Sequence, residues 1–428
     1  MPRSRSPKPR PGTWPPKDGG PDSSVTDSSP SLPGLLPSEV LRLGRSLLLD
    51  PERVQDRWIW QHPDWPGFTQ DWEHLVEPLG NARQALGRLQ MASRVLDPRS
   101  AMRVLAEVLA QEGVSSSAIE GEGINPASMA ASVARHLGLP VDPTAPIDRN
   151  AEGIAAVLMD AMTNRDAPLT VDRLCRWHRA LFPESRPGLA IGVLRPGSVH
   201  VGSNISEEES IVHFLAMPRE RLEPELDRFI TWFNDSKGAM DGLVRAGLTH
   251  LWFVTLHPFD DGNGRISRAL TDLALAQEPI AAPLARMSRC ILQGRPDYYA
   301  ALEQAQAFKN GLNVTPWLRW FLEQTAQACA QSERVVQATL AKGIFWARHA
   351  EDPINERQRK ALNRLLDAGP DGFQGGMTTR KYAALTRCSP VTASRDLAEL
   401  VERTCLRSYG AGRSTAYELI WDALLLGQ

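Results

Sequence analysis

Apolar residues recur at helical spacing through most of the chain. Leu79, Leu86, Leu89 and Val95 form one apolar face, because these spacings bring side chains to the same side of a helix. Only one stretch, Ala190–Val201, is rich in β-forming residues. The pattern therefore predicts a mainly α fold with one inserted β-hairpin. Further helices are predicted over Ala101–Gln111, Ile154–Met162, Val171–Leu181, Pro224–Phe233, Gly242–Leu256 and Arg265–Leu275.

A cluster of tryptophans precedes this helical region. Trp58, Trp60, Trp65 and Trp72 are four of the twelve tryptophans in the chain. Prolines and a glycine interrupt them, which predicts short strands joined by a turn. The cluster could dock a partner protein, or it could form a small core that fixes an N-terminal unit to the rest. The second interpretation is favoured, because buried tryptophan usually serves packing.

The two ends of the chain differ in composition from its middle. Residues 1–37 are rich in Pro, Ser, Gly and Asp, and such a segment cannot bury enough apolar surface to order itself. We expect a disordered tail there. Asn355–Glu418 holds 11 Lys/Arg against 7 Asp/Glu, a local excess of four positive charges. This change predicts a separate C-terminal module.

Composition restricts the class of protein further. The 428 residues are 42% hydrophobic and 23% charged, which suits two or three globular domains. Five scattered cysteines without a CxxC pair argue against a disulfide framework or a structural zinc site. A net charge of −2 gives no global attraction to nucleic acid or membrane. Without an apolar run of spanning length or a signal peptide, we expect a cytoplasmic protein with no membrane partner.

A dense group of functional residues lies between His257 and Arg268. The helix before it ends at Pro258, and Gly262–Gly264 follows. Two glycines around an asparagine permit left-handed backbone, so successive N–H groups can converge on one point. The helix that begins at Arg265 adds free N–H groups and its dipole. The segment therefore predicts an anion-binding site.

Charged side chains complete this anion site. Arg265 and Arg268 lie three residues apart on a helix, so both can reach a polyphosphate. Asp261 offers the carboxylate that Mg²⁺ needs beside phosphate oxygens, and His257 is a candidate general base. A helix cap with solvated charges would explain any one of these residues, but not the whole string. Together they predict phosphoryl-group chemistry, although no P-loop sequence is present.

This string resembles the Fic-family signature HPFx(D/E)GNGRxxR and matches it at every specified position. The resemblance implies a Fic-type helical bundle that transfers AMP from ATP to a Ser, Thr or Tyr hydroxyl of a protein. It implies that His257 deprotonates the hydroxyl and that Asp261 holds Mg²⁺. The implied nucleotide-binding residues are Gly262, Asn263 and Gly264 at the α- and β-phosphates, Arg265 at the β-phosphate side and Arg268 at the γ-phosphate.

Two further segments extend the resemblance. Leu174–Pro183 resembles the family's helix ahead of the active site, where core packing explains the apolar residues. Tyr298 and Tyr299 fall where family members carry aromatic residues near the adenine, and core packing is an equally good explanation. Gly192–Gly202 resembles the flap hairpin, which holds the target chain by strand addition. The implied flap residues are Gly192, Leu194, Arg195, Val199 and Val201.

Upstream of the signature, Ser116-x-x-x-Glu120-Gly121 resembles the family's (S/T)xxxE(G/N) inhibitory motif. Ser116 and Glu120 are four apart and share a helix face. In the family this Glu pairs with the second signature arginine, here Arg268, and competes with the γ-phosphate. The resemblance implies autoinhibition by an N-terminal helix, with removal of AMP as a further reaction in which Glu120 orients water. A plain surface helix is the alternative.

The C-terminal module resembles a winged helix. Thr378-Thr379 can cap a helix that runs to about Thr386, and Pro390 suits the start of a second helix through Glu402. Cys405–Tyr409 and Ser414–Glu418 then predict a hairpin. DNA binding and a role in protein interaction or dimerisation both remain open. DNA binding would use Thr392, Ser394 and Arg395 near bases, with Arg407 and Arg413 on phosphates.

The leading hypothesis is an autoinhibited protein adenylyltransferase that uses ATP and Mg²⁺ on a protein substrate, with the chain itself as one candidate. The alternative is a DNA-binding transcriptional regulator whose Fic unit senses nucleotide. A third is the same chemistry with another donor. A two-fold homodimer is the commonest assembly for such a protein. The expected division is a disordered tail at 1–37, an N-terminal region at 38–140, a catalytic core at 141–333 and a winged-helix region at 334–428.

Overall fold

A computed structural model describes residues 43–44 and 57–420, apart from 185, 205–208, 279–283, 370–372 and 374. The chain forms two compact units. Unit 1 combines Met1–Gly87 with Leu105–Cys329, and unit 2 combines Arg88–Val104 with Ala330–Gln428. The predicted disordered tail lies outside the described residues. None of the described helices has the length and apolar character that a membrane span needs.

The described chain is mainly helical, as the hydrophobic pattern predicts. The boundaries of the helices expected over Val171–Leu181 and Gly242–Leu256 are confirmed to the residue. The first eleven helices are α1 Val76–Arg94, α2 Pro98–Ile119, α3 Pro126–His136, α4 Arg149–Thr163, α5 Val171–Leu181, α6 Arg219–Asp235, α7 Gly242–Leu256, α8 Asn263–Ala276, α9 Ser288–Gln293, α10 Arg295–Gln306 and α11 Thr315–Arg348.

Helix α7 is the central element of unit 1. Every one of its residues is buried, which is typical of a helix that is apolar on all sides. Asp241 caps its start by accepting hydrogen bonds from the backbone N–H groups of Leu243 and Val244. Trp317 donates from Nε1 to the carbonyl of Gly247 at 2.8 Å. α8 packs along α7, so the signature segment connects two firmly held helices.

A small antiparallel sheet forms the only β-structure described in unit 1. Its strands are β1 Leu43–Gly44, β2 His200–Asn204 and β3 Glu209–Leu215, in the order β1-β3-β2. The predicted hairpin is therefore present, but it begins later than Ala190. Residues 190–199 form no strand because Gly192 has a left-handed backbone, with φ of 71°, and Arg195 bonds to the signature loop instead of a strand.

The tryptophan cluster forms a packed corner of unit 1 and contains no regular strand. A short 3₁₀-helix, Ile59–Gln61, and isolated bridges replace the predicted strands. Trp58, Trp60 and Trp65 are buried, whereas Trp72 is 47% exposed. Trp60 donates from Nε1 to the Leu215 carbonyl at 2.8 Å, at the end of β3. The cluster serves mainly as a core, as the favoured interpretation holds.

The C-terminal part of unit 2 contains three helices and a hairpin around an apolar core. Thr378 and Ser389 cap successive helices through their side chains. Buried Asp396 accepts a hydrogen bond from the Tyr382 hydroxyl at 3.0 Å. The elements follow the predicted order, and their assignment as a winged helix stays a prediction. They are α12 Glu356–Ala368, α13 Thr379–Thr386, α14 Pro390–Glu402, β4 Leu406–Tyr409 and β5 Ala416–Leu419.

Candidate active site

The loop between α7 and α8 is held in an unusual conformation. His257 ends α7 with φ of 50°, and Gly262 begins α8 with φ of 77°. A left-handed backbone is uncommon for residues other than glycine and is concentrated at functional sites. The Asn263 amide closes the loop, since it accepts from the Phe259 N–H at 3.0 Å and donates to the Phe259 carbonyl at 2.7 Å. The loop before α8 is thus held by its own hydrogen bonds.

His257 is prepared to accept a proton. Its Nδ1 donates to the Val254 carbonyl at 3.2 Å, which leaves the lone pair on Nε2. Burial, aided by the charge of Arg195, lowers the pKa of His257 to about 4. The imidazole is therefore neutral near pH 7. Nε2 makes no hydrogen bond within the part of the chain that the structure describes.

Arg195 joins this loop to the segments before β2 and after β3 of the hairpin. The side chain is fully buried and donates to the carbonyls of His257 at 2.8 Å, Gly197 at 2.5 Å and Met217 at 2.6 Å. Its backbone N–H donates to Pro258 at 2.9 Å. The resemblance implies that Arg195 contacts the target chain, whereas in the structure its side chain is buried and donates to carbonyls of the chain itself.

The other predicted flap residues lie around the base of the hairpin. Leu194 is half-buried and Val199 precedes β2. Val201 lies within β2, opposite Phe214 of β3. Their contact with a target chain stays a prediction.

His178 of α5 connects the backbone at Gly192 to the backbone at Asp261, contacts that the sequence analysis did not predict. Its Nδ1 accepts from the Gly192 N–H at 2.8 Å, and its Nε2 donates to the Asp261 carbonyl at 3.1 Å. The ring stacks on Phe259 with centroids 4.3 Å apart. Burial lowers its pKa to about 4. The histidine was visible in Leu174–Pro183, but its backbone partners lie far away in sequence and gave no signal.

Three buried polar atoms of this loop and α8 lack a hydrogen-bond partner among the described residues. They are Oδ2 of Asp261, Nε of Arg265 and Nη1 of Arg268. Buried polar atoms are normally satisfied, and burial raises the pKa of Asp261. A carboxylate oxygen that lacks a hydrogen bond, beside the guanidinium groups of Arg186 and Arg265, fits the donor set that a Mg²⁺–polyphosphate requires. These residues therefore fit the Mg²⁺ and polyphosphate that the sequence predicts.

Gly264 leaves room for the Glu120 carboxylate beside Arg268. A Cβ atom added at this position would lie 2.1 Å from Oε1 of Glu120 and 3.2 Å from Nη1 of Arg268. Real Cβ atoms do not approach other atoms as closely as 2.1 Å. The absence of a side chain therefore lets the Glu120 carboxylate approach Arg268.

Two carboxylates at the end of α2 reach the signature arginines. Arg268, whose side chain is 3% exposed, donates from Nη2 to Glu120 Oε1 at 2.8 Å and from Nε to Ser116 Oγ at 2.9 Å. The structure thus brings together the three residues of the predicted inhibitory contact. Arg265 donates to Oε2 of Glu122 at 2.5 Å. The sequence analysis did not single out Glu122.

The two tyrosines predicted near the adenine lie close to Arg268. Tyr298 is buried, and its hydroxyl bonds to Nε2 of His250 at 2.9 Å. Tyr299 donates to the Ile119 carbonyl, at the end of α2, at 3.3 Å. Contact of either ring with a nucleotide base stays a prediction.

Comparison with known proteins agrees with the signature. Residues 168–275 match the Fic/DOC family, and residues 58–139 match a domain of unknown function, DUF4172. The chain is 30% identical over 156 residues to the protein adenylyltransferase fic-1 of Caenorhabditis briggsae, which covers 36% of this chain and 26% of the relative. It is 32% identical over 133 residues to a uridine 5′-monophosphate transferase of Xanthomonas campestris, an alignment that covers 29% of this chain and 24% of the relative.

A solved structure of a Fic-domain signalling protein from Bacteroides thetaiotaomicron aligns with a TM-score of 0.47 at 18% identity, over 60% of this chain and 97% of that one. The chain spans a quarter to two fifths of the length of curated relatives such as those from Caenorhabditis briggsae and Nematostella vectensis. Residues 168–275, which include His257, Asp261, Arg265 and Arg268, match the Fic/DOC family, and Fic protein adenylyltransferases are among the relatives of the chain at modest identity.

Proposed function

We propose that this chain is a protein adenylyltransferase that moves AMP from ATP to a Ser, Thr or Tyr hydroxyl of a protein. One observation carries the proposal. A neutral histidine whose Nε2 has no hydrogen bond among the described residues lies in the same short loop as a buried Asp261 oxygen that also lacks one, and the buried side chains of Arg265 and Arg268 follow on α8. Base, metal ligand and cations are the components that attack on a polyphosphate requires.

The reaction follows from these groups. The target hydroxyl gives its proton to Nε2 of His257, and its oxygen forms a bond to the α-phosphorus of ATP. The bond from that phosphorus to the bridging oxygen breaks, and pyrophosphate leaves. Arg265 and Arg268 balance the negative charge on the β- and γ-phosphates. Mg²⁺ held through Asp261 would supply further charge neutralisation at the phosphate oxygens.

Glu120 is proposed to keep this reaction slow. Its carboxylate pairs with Arg268 at 2.8 Å, and a γ-phosphate would need the same guanidinium. A nucleotide that binds beside the intact pair is held in a pose unsuited to in-line attack. The same carboxylate is proposed to orient a water molecule when AMP is removed from a modified protein.

The proposal is tested by incubating the purified chain with ATP or UTP labelled at the α-phosphate, with Mg²⁺. Wild type, Glu120→Gly and Glu120→Gly/His257→Ala are compared. We expect covalent label from ATP that increases in Glu120→Gly and disappears without His257. UTP is included because the chain is similar to a uridine 5′-monophosphate transferase. Label from UTP alone would show that UTP, rather than ATP, is the donor. Equal labelling with and without His257 would refute the mechanism.

The target chain is proposed to add to the flap at β2. In the described sheet β3 lies between β1 and β2, so β2 has an edge that can accept another strand. β2 also follows directly on the segment that Arg195 ties to His257. A hydroxyl on an added strand would thus be positioned relative to the base.

A second candidate function rests on unit 2. The start of α14 is strongly exposed, with Val391 at 80% and the Arg395 side chain at 69%, and exposed Arg387 lies in the preceding turn. We propose that this surface contacts the major groove of DNA. Fluorescence anisotropy with duplex DNA over a salt series tests it. An Arg395→Ala variant that binds with unchanged affinity and salt dependence would refute it.

A further inference from the structure

A second carboxylate holds two cations of the site at once. Glu122 accepts from Nη1 of Arg265 at 2.5 Å through Oε2, and from both terminal nitrogens of Arg186 at 3.2 Å through Oε1. The side chains of Arg265 and Glu122 are 4% and 21% exposed. This carboxylate is therefore an integral part of the site, and both of its oxygens are committed to guanidinium groups.

The end of α2 fixes Glu120 and Glu122 relative to each other. Gly121 has φ of +80°, its N–H bonds to the Ala118 carbonyl, and the Glu122 N–H bonds to the Ser117 carbonyl, each at 3.0 Å. This is the Schellman arrangement that ends a helix at a left-handed glycine. It places the two glutamates on either side of one glycine, so both enter the site together.

Helix preference does not explain why glutamates occupy these positions. The C-terminal end of a helix carries partial negative charge, and a carboxylate there is unfavourable. The compensating charges are those of Arg186, Arg265 and Arg268. The end of α2 is thus stabilised by the same cations that a polyphosphate would require.

Arg186 lies on the metal side of the site. Its Nη1 is 3.9 Å from Oδ2 of Asp261, the oxygen that has no hydrogen-bond partner among the described residues. The guanidinium carbons of Arg186 and Arg265 lie 4.9 and 4.8 Å from the centre of the Phe182 ring. One aromatic ring therefore supports two cations that flank the proposed Mg²⁺ ligand.

We propose that Arg186 is a third phosphate-binding residue of this site, and that Glu122 is a second inhibitory carboxylate that occupies Arg186 and Arg265 until nucleotide displaces it. The inference rests on the proposed function. There Arg268 serves the γ-phosphate and Arg265 the β-phosphate side. Glu120 and Glu122 then oppose different parts of ATP. Glu120 opposes a group that ADP lacks, whereas Glu122 opposes a group that ADP retains.

Calorimetric titration with Mg²⁺–ADP and Mg²⁺–ATP separates the two carboxylates. All variants carry His257→Ala so that no label transfer occurs. We expect Glu122→Gln to lower the Kd for ADP by about tenfold, as for one charge-assisted contact released to the ligand. Glu120→Gln should change the Kd for ADP by less than about twofold and should lower the Kd for ATP. Arg186→Gln in the Glu122→Gln background should weaken ADP again by about tenfold.

Glu278→Gln is the matched control. It removes a half-buried glutamate paired with Arg83 at 2.6 Å, at the other end of α7, and should leave both Kd values unchanged. Thermal unfolding checks that each variant folds. The inference is overturned if Glu122→Gln binds ADP like wild type, or if Arg186→Gln has no effect in that background. If no variant binds nucleotide, the proposed function is overturned as well. If the labelling experiment described above shows label that depends on His257, but the ADP affinities of these variants are unchanged, only the roles of Glu122 and Arg186 are overturned.

Discussion

Replacing Glu120 by alanine should weaken the fold and strengthen the response to ATP at the same time. The side chain of Arg268 is 3% exposed, and its acceptors are Glu120 Oε1, Ser116 Oγ and the Ser116 carbonyl. Loss of the charged acceptor costs about 1.5–3 kcal/mol. Removal of a carboxylate from the end of α2 returns about 0.3–1 kcal/mol. The free energy of unfolding should therefore fall by about 1–2 kcal/mol.

A triphosphate should reverse this loss, because it supplies the anion that Arg268 then lacks. ATP at about 100 times its Kd stabilises a protein by about 2.7 kcal/mol, and wild type should gain less because Glu120 competes. Thermal unfolding with and without Mg²⁺–ATP measures both effects, each in a His257→Ala background. The variant should unfold about 2–6 °C below its parent without nucleotide, and at or above its parent with ATP.

The control for this experiment is Glu323→Ala, which removes a 48% exposed glutamate from a surface pair with Arg319. Such pairs contribute little, so both unfolding temperatures should stay near those of the parent. The reasoning fails if Glu120→Ala is as stable as its parent without nucleotide. It also fails if ATP raises the two unfolding temperatures equally.

Four further predictions concern the site. Because the pKa of His257 is about 4, kcat/KM of the Glu120→Gly form should stay constant from pH 8 to about 5.5 and fall only at lower pH; an inflection near 6.5 would contradict this. The same depressed pKa values in His178 and His257 mean that the unfolded state binds more protons between about pH 4 and 6.5, so the free energy of unfolding in urea should fall as pH decreases through that window. His178→Phe keeps the ring stack but leaves the Gly192 N–H unpaired, so stability should fall by about 1–3 kcal/mol and labelling should fall with it, whereas unchanged labelling would remove His178 from the site. Gly264→Ala fills the space beside Arg268, so Mg²⁺–ATP should bind at least about tenfold more weakly even when Glu120 is glycine; calorimetry measures this, and equal affinity would place the phosphates elsewhere.

The sequence predicted most of the helical framework, because apolar periodicity and capping residues are local. The limits of α5 and α7 follow from Thr170 and Asp241, which cap them. The β-hairpin was expected too early in the chain. Residues 190–199 have β-forming side chains, but Arg195 ties them to the loop around His257, a tertiary contact that local preference cannot reveal.

The candidate site shows the same division. The signature segment predicted which residues converge between α7 and α8, because they are consecutive. Contacts made across the fold were missed, since Glu122 and Arg186 lie outside any motif and His178 bonds to backbone atoms. The proximity of two glutamates to Gly121 was visible in the sequence, and only the structure shows that they address different arginines.

The complete burial of α7 has a consequence for mutational sensitivity. The helix spans 15 residues, about 22 Å at 1.5 Å per residue, and carries His257 at its end. At Gly247, near its middle, an added Cβ would meet Leu318 at 2.9 Å and Phe321 at 3.0 Å. A random screen for inactive proteins should therefore recover substitutions along the entire length of α7, many of them far from His257.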